Sequence, residues 1–129
     1  MQILEPAQGT PVVYCLTRDR QLATDLDGRL VGALAFFYND AARLNQAVQL
    51  RLPTLVLLDT DAIRPEFGDG GLGPVLAWLR QRAPSTRLAV RPALGAERLV
   101  ASEAGGGVTL LPHDRGACVD AVAAFCGCP

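Results

Sequence analysis

Lysine is missing from this chain: all twelve basic residues are arginine. That excludes chemistry built on an ε-ammonium, whether a Schiff base or a compact mobile point charge. Net charge is nearly missing as well. Twelve basic residues against thirteen acidic ones leave −1, which is no electrostatic footprint for nucleic acid or an anionic membrane. The apolar runs fall well short of the ~20 residues a membrane span needs. The N-terminal MQILEPAQGT lacks a basic region followed by an apolar core, so no signal peptide is expected and the expected compartment is the cytoplasm. There is one histidine, His113, and no nucleophile motif leads into a helix. His113 reads as an exposed loop residue rather than a general base.

Cysteine is scarce too, at four residues. Cys15 and Cys118 lie in apolar runs and read as small buried hydrophobes. The tail FCGCP holds Cys126 and Cys128, a pair that could bind a soft metal or cross-link chains. Only His113 could add an imidazole, and no second Cys pair exists. Four-ligand zinc spacing is therefore absent, and neither metal nor cofactor is expected.

What remains is a chain of 129 residues, 50% apolar and 19% charged, the composition of one soluble globular domain. Five apolar runs alternate with five amphipathic stretches. The strands are expected at 11–16, 33–39, 54–59, 86–92 and 107–112. The helices are expected at 19–30, 40–52, 72–83, 95–105 and 114–126. Leu22, Leu26 and Leu30 form one helical stripe, and Leu44, Val48 and Leu52 form another, with Asn39 or Asp40 as its N-cap. Val75, Leu76 and Leu79 form the third core face. Trp78 beside them reads as core packing or as a partner anchor. This alternation implies βαβ units and a parallel sheet covered on both faces. The fold class is α/β, a flavodoxin-like doubly wound five-stranded parallel sheet. Residues 1–10 read as a leader and 11–129 as a single domain.

In such a sheet the working site lies beyond the carboxyl ends of the strands. The residues there are Thr17, Arg18 and Asp19, then Tyr38, Asn39 and Asp40, then Asp59, Thr60 and Asp61, then Arg91 and Pro92, then Leu111, Pro112 and His113. The run GDGGLG (68–73) has the glycine density of a phosphate loop. It lacks a following Lys-Ser/Thr, and Glu66 and Asp69 would repel phosphate, so it reads as a loop.

LPTLVLLD ending in Asp59, GVTLLPHD with its Pro112 turn, and the spacing from NDAARLNQAVQLRLP into the third strand resemble the receiver domain of bacterial response regulators over residues 11–126. The resemblance implies a phosphoacceptor at Asp59. It also implies two metal-binding acids after the first strand, a Thr or Ser after the fourth and a Lys at the end of the fifth. Mg²⁺ and that lysine would offset the charge of the transferring phosphoryl group. The sequence departs from this pattern. Thr17 and Arg18 stand at the acid positions, with Asp19 one residue later. Arg91 or a neighbour stands at the Thr/Ser position, and Leu111 at the Lys position. The loop after Asp59 is about three residues longer than usual.

The resemblance and the departures together imply a degenerate pocket of Thr17, Arg18, Asp19, Asp59, Arg91, Leu111 and Pro112. Asp59 would be paired with an arginine, Arg18 ahead of Arg91. The expected protein is a stand-alone pseudo-receiver in signal transduction, not an enzyme, working by protein–protein contact or homodimerisation. The alternatives are a two-component regulator phosphorylated on Asp59 and a flavodoxin-like small-ligand binder. Residues 116–126 of the last helix, GACVDAVAAFC, carry one charge, Asp120. Of these, Ala117, Ala121, Val122, Ala124 and Phe125 are the expected interface, with Phe125 the largest contact and 95–104 and 107–112 flanking it.

Overall fold

The computed structural model describes residues 9–63 and 71–128. The chain runs β1 (Val12–Leu16), α1 (Arg20–Arg29), β2 (Leu34–Tyr38), α2 (Ala41–Leu50), β3 (Leu55–Asp59), a 3₁₀ turn (Thr60–Ala62), α3 (Leu72–Arg82), β4 (Arg87–Arg91), α4 (Glu97–Ala104), β5 (Val108–Leu110) and α5 (Arg115–Cys126). Among the described residues every strand pair is parallel, in the order β2-β1-β3-β4-β5. The expected doubly wound sheet is present. Its order reverses between β1 and β3, so a crevice opens at their carboxyl ends.

β1 and β3 are buried along their whole lengths, which is why VVYCL and LVLLD show no polar alternation. Alternate side chains feed two cores. Leu16, Leu44, Val56, Leu58, Leu76, Leu79 and Val90 pack on the α2–α4 side. Val13, Cys15, Leu22, Leu26, Leu57, Cys118 and Val122 pack on the α1–α5 side. Side-chain caps set three helix starts: Asp19 accepts from the Leu22 N–H, Asp40 from Arg43 and Asp114 from Ala117. Asp40, not Asn39, is therefore the cap of α2.

Leu22, Leu26 and Leu30 are buried as their spacing predicts, but Leu52 is 57% exposed. Helix α2 stops at Leu50, two residues short of it. Leu52 precedes Pro53, whose ring disfavours the helical region for the residue before it. Val75 and Trp78 are only partly buried; both pack against the first core, and Arg82 lies 5.6 Å from the Trp78 ring centre. The leader to residue 8, the acidic loop residues Glu66 and Asp69, and the first three residues of GDGGLG lie outside the described residues. Gly71, within that run, is the N-cap of α3 at φ +54, a conformation that favours glycine.

Candidate functional site

Asp59 and Arg91 are the last residues of adjacent strands and are paired in register. Their side chains therefore leave the sheet at one level and on one side. Both are buried, with side chains 2% and 5% exposed. Arg91 Nη1 donates to Asp59 Oδ2 at 3.1 Å, and Thr17 Oγ1 donates to the same oxygen at 2.8 Å. The Asp61 N–H reaches Asp59 Oδ1 at 3.3 Å. The carboxylate thus has a cation and two neutral donors, what a buried charge requires.

Arg91 does more than neutralise Asp59. Its Nη1 also donates to Asp19 Oδ2 at 3.2 Å, while Nε and Nη2 both donate to the His113 carbonyl at 2.9 and 2.7 Å. Asp19 Oδ2 accepts further from Arg115 Nε at 3.1 Å, and Asp19 Oδ1 caps α1. One guanidinium therefore ties the ends of β1, β3 and β4 to the turn after β5. Burial alone would raise the Asp19 carboxyl. The Leu22 N–H and the two arginines outweigh it and hold the group below its ordinary value.

The structure corrects the expected partner of Asp59. Arg18 lies beyond the end of β1 and turns its Nε to the Asn39 carbonyl at 3.3 Å, so it belongs to the neighbouring cleft. Register favours Arg91, because it is the residue directly across from Asp59, whereas Arg18 stands two residues past the last residue of β1. Leu111 is buried in the second core, and Pro112 is exposed. Neither brings a polar group to the pocket. Sequence reasoning missed the His113 carbonyl and Arg115. The carbonyl has no sequence signal, and Arg115 reaches Asp19 only because α5 packs beside α1. It also placed Val122 in the interface. Val122 is 1% exposed and belongs to the second core.

The residues do not fit a divalent cation. Thr17 supplies a hydroxyl where an acid is needed, and the guanidinium of Arg91 already bonds both Asp59 Oδ2 and Asp19 Oδ2. A cation there would meet a fixed positive charge. The Cys15 and Cys118 thiols lie in the core beneath the site. Burial raises both, Cys118 to about 11, so neither is a thiolate near neutral pH. Beside the network, at the ends of β1 and β2, an open cleft of about 870 Å³ is lined in part by Arg18, Arg20, Tyr38, Asn39, Asp40 and Arg43.

A parallel sheet in the order 2-1-3-4-5 defines the flavodoxin-like class of doubly wound folds, and comparison narrows it. No protein-family model and no curated protein sequence matches the chain. Solved structures do. The receiver domain of a LuxO repressor from Vibrio parahaemolyticus is 18% identical, with TM-score 0.65, 92% of this chain and 91% of that one being covered. A response regulator from Thermotoga maritima is 16% identical at TM-score 0.66, covering 92% and 98%. The receiver domain of NtrX from Brucella abortus is 16% identical at TM-score 0.67, covering 89% and 96%. The fold of this chain is that of response-regulator receiver domains.

Proposed function

We propose that this chain is a pseudo-receiver, a signalling module that works by protein–protein contact in the cytoplasm without phosphoryl transfer at Asp59. One observation carries the reading. Arg91 lies bonded to both acids that would otherwise hold metal and accept phosphate. Phosphoryl transfer needs an exposed nucleophilic oxygen and charge neutralisation centred on the incoming group. Here the oxygen is buried and the neutralising cation is spent on the carboxylate itself. Incubation with acetyl phosphate and Mg²⁺, read by intact mass, should give no phosphoryl adduct, and beryllofluoride should not shift the melting temperature. An adduct that disappears in Asp59→Asn would establish the alternative, a phosphorylated regulator.

The proposed contact surface is α5 with α4 and β5 beside it, meeting a protein partner or a second copy. Leu99, Leu110 and Phe125 are exposed there, and Ala124 leaves room for close approach. A second reading, a small-ligand binder, is favoured by the arginine-lined cleft at the ends of β1 and β2. A thermal-shift screen of anionic metabolites against wild type and Arg20→Ala separates it. A shift confined to wild type would support it.

A further inference from the structure

The two edges of the sheet differ. β5 has three residues, and shortness is one of the usual protections of an open edge. β2 has five, LAFFY, inside an uncharged stretch from Leu30 to Asn39. It carries no lysine, proline or inward charge, and Leu34 and Phe36 are 42% and 41% exposed.

The ladder shows which backbone groups are open. The Leu34 N–H donates to the Pro11 carbonyl at 2.9 Å, and the Tyr38 carbonyl accepts from the Thr17 N–H at 2.9 Å. In a parallel pair, N–H and C=O of one residue face the same side, and the side alternates. Leu34, Phe36 and Tyr38 therefore bond inward to β1. Ala35 and Phe37 turn their N–H and C=O outward, where no strand among the described residues pairs with them.

We propose that β2 is a self-association edge: two copies pair their β2 strands antiparallel about a two-fold axis at Phe36, joining two five-stranded sheets into one. The register follows from the open groups. With Phe36 on the axis, Ala35 of each copy faces Phe37 of the other, and each such pair exchanges two hydrogen bonds. All four open groups of each strand are then used. Centring on Ala35 would bring in Ala33, whose N–H already donates to Leu30. Centring on Phe37 would bring in Asn39, whose carbonyl already accepts from Arg18. The axis also puts Phe36 against its symmetry mate at a non-hydrogen-bonded position, where side chains approach most closely. Tyr14 stands edge-on to both Phe36 and Tyr38, with centroids 5.9 and 5.6 Å away. The pairing would therefore extend one aromatic row across both copies. It sets no charge against like charge, because 30–39 contains none. The self-complementary register is the reason to choose a second copy over an unrelated strand. A strand pair this short covers less than the ~1,000 Å² of a tight interface, so the dimer is reversible.

Hydrogen exchange read residue by residue, with sedimentation from about 10 µM to about 1 mM, tests this in the full chain. At low concentration the Ala35 and Phe37 amides should exchange fast while Leu34 and Phe36 stay protected. At high concentration Ala35 and Phe37 should slow at least tenfold as the dimer forms. Phe36→Glu sets two carboxylates face to face and should weaken the dimer at least tenfold. Ala35→Pro, which removes only an outward donor, should do the same. Phe125→Arg should leave this dimer unchanged, so the result is separable from the proposed α5 contact. Three outcomes would overturn the proposal: a monomer throughout, a dimer whose Ala35 and Phe37 amides stay fast, or protection of β2 only when another protein is added.

Discussion

Arg91 is one side chain with four hydrogen bonds to three partners, and its removal exposes what it offsets. Arg91→Ala leaves Asp59 buried without a cation and should cost about 3–5 kcal/mol, measured by urea unfolding. Thr17→Val keeps the volume and removes one donor to the same carboxylate, so a smaller loss of about 1.5–3 kcal/mol is expected. Asp19 adds a pH dependence whose sign is fixed by its lowered carboxyl. The folded state holds this group ionised more firmly than the unfolded chain does. Its contribution is therefore full above the ordinary value of 3.8 and is lost as pH falls through and below it. The stability gap between wild type and Asp19→Asn should be constant near neutrality and close below about pH 4. A gap unchanged down to pH 2 would refute the ionic role. That Asp59 needs a cation was legible in a strand ending on a carboxylate. That the cation is Arg91 was not, because strand-end position alone does not give register.

α5 shows what sequence periodicity leaves open at the scale of an element. With one charge in its last eleven residues, GACVDAVAAFC, the helix has no polar face to mark its rotation. Contacts mark it instead. Asp120 pairs with Arg29 of α1, and Phe125 lies with its ring centre 5.8 Å from the Arg87 guanidinium. This rotation buries Cys118, Val122 and Ala123, sets Ala121 partly against the second core, and exposes Ala124. Ala121→Arg, at a residue expected from the sequence to lie in the interface, is thus a test of packing. It should lower stability by about 1–3 kcal/mol through overpacking. Ala124→Arg should fold like wild type and report on partner contact alone. The helix ends give a second check. Asp114 accepts from Ala117, and Gly127 closes the helix at φ 72, ψ 21. Asp114→Ala should cost about 0.5–2 kcal/mol in thermal unfolding.

At the scale of the whole molecule, the sheet is a partition. The fold was legible because each layer writes its own period: short apolar runs for strands buried on both faces, and i, i+4 leucines for the helices covering them. The same alternation sends Leu57 and Leu58, neighbours in the chain, into different cores. Leu26 and Leu44 are fully buried, one in each core, with β1 and β2 between their helices. Two consequences follow. Each leucine truncation should cost about 2–5 kcal/mol, because the cavity left behind cannot fully collapse. And because the two cavities share no neighbours across the sheet, the losses should add. Leu26→Ala with Leu44→Ala should then destabilise by the sum of the single variants within about 0.5 kcal/mol. That sum approaches the 5–15 kcal/mol of a typical domain, so guanidinium-free measurements at low temperature or osmolyte-supported unfolding would be needed to keep the double variant folded. A coupling above about 1 kcal/mol would mean that the sheet transmits strain from one core to the other. The Arg91 network, which joins three strand ends at the rim, would then be the place to look for the connection.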